Sequence, residues 1–230
     1  VRDVFLNYRR SGTNSGFVTV QLWSDGDIIP SSIPGNDIRS EGVEYFIEAI
    51  DELGNRSEWP YDYNGNDVQS VVARTQNNVT TADYWSAGIP TGTDTSAYQL
   101  FSIPFKTNKG LNAVTEVLGP PDEFKYRLYS YHNGFEEFTE TNSIDMSLGN
   151  SYFFIWDKDQ YPDILQLNFD FGKGESTPTS PPFEIPAAVG EWKFFGNPYN
   201  FPVDLFDVRT QGDLPVCLLY TSDAADDPTC

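Results

Sequence analysis

Between Gly42 and Asn55 the chain reads Val-Glu-Tyr-Phe-Ile-Glu-Ala-Ile-Asp-Glu-Leu-Gly, an alternation that few folds accommodate. On an extended strand Tyr45, Ile47 and Ala49 fall on one face, and Glu44 and Glu48 on the other. Such a strand needs a partner sheet over its apolar side, so the expected class is all-β, an antiparallel sandwich of the kind used for display and adhesion. The rest of the chain agrees with this. Its 18 Gly and 16 Pro break nearly every apolar run after a few residues, which suits many short strands. Its 17 Phe and 13 Tyr against a single Met favour flat, rigid side chains between sheets over helix packing.

The 230 residues suffice for two domains with their own cores. The formal charge of −20 argues against nucleic acid and anionic membrane surfaces as partners, because both rely on clustered Lys and Arg. A solvated exterior of a secreted or cell-surface protein accounts for the scattered acids. No apolar run approaches the length of a membrane span; the longest core-like stretch is Tyr152 to Trp156.

Along the chain, the patterning predicts strands over residues 4–9, 17–23, 43–50 and 67–74, with Val18, Val20 and Leu22 facing inward and a turn at 52–55. Residues 28–38 carry Pro30 and Pro34 and are expected as loop or edge. A Thr-, Asn- and Gly-rich linker is expected over 77–97. Further strands are expected over 98–105, 124–131, 151–156, 164–171 and 192–195, and one short helix over 111–118, stopped by Gly119-Pro120-Pro121. The segment 164–171 has the cleanest alternation of all, with Leu165, Leu167, Phe169 and Phe171 on one face.

The order of the first strands, with 42–51 in the place of strand F and Tyr45 near its start, resembles the later part of a fibronectin type III or immunoglobulin-like domain, over residues 1–76. The resemblance implies a β-sandwich incomplete at its N-terminus, since residues 4–9 enter without the strands that would precede them. Residues 126–131, 134–138, 148–156 and 190–199 resemble a recurrent β module of large secreted bacterial surface proteins, within a second β-rich domain spanning 98–216. That module follows immunoglobulin-like domains and precedes a sorting domain in such proteins, and it brings no assigned activity. Residues 217–226 resemble a translated sequencing adapter, which implies a non-native, disordered tail over 217–230. Both cysteines, Cys217 and Cys230, lie in it; a disulfide between them is the competing reading.

Reactive constellations are sparse. His132 is the sole histidine and sits before Asn133-Gly134, which marks a hairpin turn. Paired carboxylates occur at Asp122-Glu123 and Glu136-Glu137, but neighbours on a strand point to opposite faces and do not converge on one bond. No cofactor is expected except calcium, for which Asp157, Asp159 and Asp163 are the candidate ligands, with Asp25 and Asp27 a weaker set. The spacing is not that of an EF-hand. Asn55 and Asn78 head glycosylation-type tripeptides in expected loops. Trp59, Tyr61, Tyr63 and Trp85, with Trp23, are candidates for a platform that takes sugar rings. The expectation is therefore a non-catalytic spacer and interaction module of a larger secreted or cell-surface bacterial protein. Its partners would be other domains of the same polypeptide and a glycan or surface protein. The alternative is a carbohydrate-binding accessory module of a secreted hydrolase.

Overall fold

A computed structural model describes residues 1–23, 28–60, 68–81, 87–92, 94–187, 192–205 and 208–209. The candidates Asp25, Asp27, Tyr61, Tyr63 and Trp85, and the proposed tail 217–230, lie outside the described residues.

The first sheet is antiparallel and joins Asp3–Arg10 (β1), Val18–Leu22 (β2), Val43–Ile50 (β3), Arg56–Trp59 (β4) and Gln69–Val71 (β5). Its order is β2-β1-β3-β4, with β5 also on β3. Strand β3 is central: β1 pairs with its whole length on one side, and on the other β4 pairs with residues 47–50 and β5 with 43–45. Register sets the faces. Leu6 lies between Val20 and Ile47, and Tyr8 between Val18 and Tyr45, so these side chains share one side of the sheet.

Three sequence expectations are corrected here. Strand β4 was not foreseen; its polar sequence, Arg-Ser-Glu-Trp, becomes a strand through an immediate hairpin. That turn is set by Asp51, whose Oδ1 accepts the amides of Leu53 and Asn55 at 2.8 Å each. Val18 and Val20 share the face of Leu6 and Tyr8 but are exposed, because no layer covers that edge among the described residues. Glu44, expected on a solvated face, is buried; Arg9 Nε donates to it at 2.9 Å, and the loop at Gly12 closes over it. Residues 28–38 form no strand, and their cover of the sheet is anchored where Tyr8 Oη donates to Asp37 at 2.8 Å.

The second part contains Gln99–Ser102 (β6), Lys106–Thr107 (β7), the helix Asn112–Leu118 (α1), Tyr126–Tyr131 (β8), Phe135–Glu137 (β9), Ser151–Trp156 (β10) and Gly174–Glu175 (β11). A four-stranded antiparallel sheet runs β6-β10-β8-β9, and β11 pairs with β7. Helix α1 ends at Gly119, whose positive φ of 78° suits only glycine well, before two prolines that cannot extend it. Its Ala113, Val114 and Leu118 cover Leu128, Tyr152, Phe154, Phe169 and their neighbours, making the main core of the molecule. Each fully buried large side chain there contributes about 1.5–3 kcal/mol.

The alternating segment 164–171 is not a strand, although Leu167, Phe169 and Phe171 are buried. Its ladder is incomplete: Asp170 bridges Thr80, Phe171 N donates to Val79 O, and Val79 N donates to Gly172 O. Leu165 points away and is 86% exposed. Residues 192–195 likewise enter the sheet system only through a bridge between Phe195 and Asn150. The same seam continues upstream, where Thr75 N donates to Gly174 O and Ser176 N to Ala73 O. Thus 77–81, read from sequence as linker, runs beside 169–172, and Ser70 Oγ reaches Thr179 and Ser180 beyond it.

Candidate functional site

The feature that stands out is the outer face of the second sheet. In β8, Tyr126, Leu128 and Ser130 are buried inward, so Arg127, Tyr129 and Tyr131 point outward. Register then places Phe153 beside Tyr129, Leu100 beside Phe153, Glu137 beside Tyr129 and Phe135 beside Tyr131 on the same face.

These side chains form a layer of rings. Phe135 packs edge-to-face on Tyr131, Phe153 and Tyr129 at centroid distances of 5.2, 5.3 and 6.3 Å. Phe194 joins from its own segment, 5.0 Å from Tyr131 and 5.3 Å from Phe153. Tyr98 lies 5.9 Å from Tyr129. The segment carrying Phe194 comes this close because residue 196 is glycine: a Cβ there would run into the Ser102 side chain. The layer is open at one end, where Phe135 is 62%, Leu100 46% and Phe194 39% exposed. Trp192, two residues before Phe194, is exposed as well.

At the other end Arg127 and Glu137 form a bidentate pair, Nε to Oε1 at 2.6 Å and Nη2 to Oε2 at 2.8 Å. The guanidinium also lies 5.2 Å from the Tyr129 ring centroid. The hydrogen bond that Arg127 donates to Glu137 raises the Arg127 pKa, and burial, with the Glu137 charge second, raises that of Tyr129. The phenol therefore stays neutral at physiological pH. Such a face offers ring surfaces and tyrosine hydroxyls.

The sequence-derived candidates fall elsewhere. Asp157 Oδ1 accepts Asp159 N at 3.0 Å and caps a one-turn helix, Lys158–Gln160, while Asp159 and Asp163 are exposed. Among the described residues no group of three or more His, Cys, Asp or Glu side chains is placed to hold a metal ion. Trp59 is 52% exposed on the first sheet, 6.3 Å from the Tyr45 ring. Asp122 serves its own turn through Phe124 N and pairs with Lys125. Glu136 faces His132 at 3.8 Å. Asn55 donates to Asp51 and Asn78 to Asp170, and Asn78 lies beside the bridged Thr80, in the seam and not in a free loop.

Sequence reading missed the aromatic layer because its members come from separate segments. The available signal was the run 126–131, in which both alternating faces carry rings.

Fold and site together define an all-β protein of antiparallel sheets with an aromatic outer surface. No family model, curated protein or solved structure matches the chain. Among the described residues no helix is long and apolar enough to cross a membrane.

Proposed function

We propose that this chain is a non-catalytic spacer and interaction module of a larger secreted or cell-surface protein. In this reading the first sheet belongs to an immunoglobulin- or fibronectin III-like sandwich, and the second sheet to an antiparallel β domain that follows it. One observation carries the proposal: both sheets leave large apolar side chains open, Val18, Val20 and Trp59 on the first and Leu100, Phe135 and Phe194 on the second. Exposed apolar surface of this kind marks a place where another surface docks. The order β2-β1-β3-β4 supports the sandwich reading, since its apolar side, covered by residues 28–38 over Leu6 and Tyr8 but open at Val18 and Val20, is the one a second sheet would cover. The partners are then neighbouring domains of the same polypeptide, a surface protein or a glycan.

The aromatic layer favours a second reading, a carbohydrate-binding accessory module of a secreted hydrolase. Both readings predict no turnover. The purified chain, incubated with a polysaccharide panel and assayed for new reducing ends, is expected to release none. Release that disappears on changing a single carboxylate would overturn the non-catalytic reading.

A further inference from the structure

We propose that the outer face of the second sheet is a binding platform for a neutral polysaccharide, with Phe135 and Phe194 as the exposed stacking surfaces. The inference rests on the non-catalytic module reading and names the ligand class and the residues. Phe135 and Phe194 pack edge-to-face against Tyr131 and Phe153. Rings ordered before a ligand arrives lose little entropy on binding. The apolar faces of pyranose rings fit such surfaces, and the tyrosine hydroxyls beside them can exchange hydrogen bonds with sugar hydroxyls.

Charge selects the occupant. On the outward positions of β6, β8, β9 and β10 the only charged groups are Arg127 and Glu137, and each is already bonded to the other. The face is therefore neutral on a chain of charge −20. A polyanion meets no available cation on these four strands, Lys193 before Phe194 being a single charge at the rim, and is repelled by the chain as a whole. A cationic polymer finds the one carboxylate of the face engaged. A second copy of the chain brings the same −20 and is repelled too. An uncharged polymer that offers hydroxyls and C–H faces is the occupant this balance admits.

The test is retention of the full chain on insoluble cellulose, chitin and mannan, with alginate and immobilised heparin as anionic counterparts. Retention is expected on at least one neutral polymer and on neither anionic one. Phe135→Ala and Phe194→Ala should each weaken it by about tenfold, the value of one stacked ring. Both residues are substantially exposed, so a cooperative melt with only a modest drop in melting temperature should show that the variants are folded. Retention on none of the neutral polymers would overturn the platform while leaving the module reading intact; that reading fails only if the chain degrades them. Retention that survives both substitutions but is lost in Trp59→Ala would place the sugar on the first sheet and overturn the inference. So would a dimer in sedimentation experiments that Phe135→Ala dissociates.

Discussion

Adjacent residues of β10 give the sharpest test of which side of the second sheet is core. Phe154 is fully buried and packs against the rings of Phe169, Tyr126 and Phe101 at 5.6, 6.4 and 6.5 Å. Phe153 faces the opposite way and keeps partial exposure beside Phe135 and Phe194. Phe154→Ala removes a transfer contribution of about 1.5–3 kcal/mol and leaves a cavity that helix α1 and the sheet cannot close. With the lost ring contacts, the expected cost is about 4 kcal/mol. Phe153→Ala forfeits roughly half the transfer contribution plus its surface ring contacts, about 1.5 kcal/mol. Equilibrium urea unfolding, followed by intrinsic tryptophan fluorescence, to which buried Trp156 contributes, measures both from the midpoint at constant m. If Phe153→Ala costs as much as Phe154→Ala, the assignment of inner and outer faces is wrong, and the platform argument goes with it.

The Asp51 carboxylate is held below its usual pKa, first by the Asn55 side chain and then by backbone amides of the turn. Its contribution is therefore present above about pH 4 and lost as the pH falls further, so Asp51→Asn should flatten the acid limb of melting temperature against pH; an unchanged limb would exclude that role. Gly196→Ala should cost about 1–3 kcal/mol by pressing on Ser102, and the double variant with Ser102→Gly should recover most of it in thermal melts; failure to recover would mean the two segments do not touch.

Strands β3, β8 and β10 were legible because each carries a dense apolar pattern that only a sheet satisfies, and α1 because a helical run meets Gly-Pro-Pro. What alternation cannot show is coverage. Val18 and Val20 take the side expected of them and still meet solvent, while Glu44 takes the polar side and is buried by Arg9 and a returning loop. Residues 164–171 alternate perfectly, yet they contribute rings to the core without a full ladder, because their partner 79–81 supplies only a few hydrogen bonds. Strand β4 has the opposite history: nothing in Arg-Ser-Glu-Trp announces a strand, and the Asp51 turn makes it one. The candidate site was hidden for a related reason. Tyr129, Phe135, Phe153 and Phe194 look like core residues one by one, and only the register of three strands and the approach of Gly196 gathers them on the outside.

The seam between 70–81 and 169–180 also bears on how the chain would carry a load. Its two segments are antiparallel, so Ser70 and Thr179 lie at the same end. Tension entering through the first sheet and leaving at Ser180 would load that end of the seam first, ahead of the Asn150–Phe195 bridge further along the chain. The contacts then yield in turn, Ser70 first and Thr81 last, like a zip. Stretching would lengthen the molecule by peeling this join from Ser70 inward, until the pull reached Val79 against Phe169 and Phe171, where the aromatic core begins.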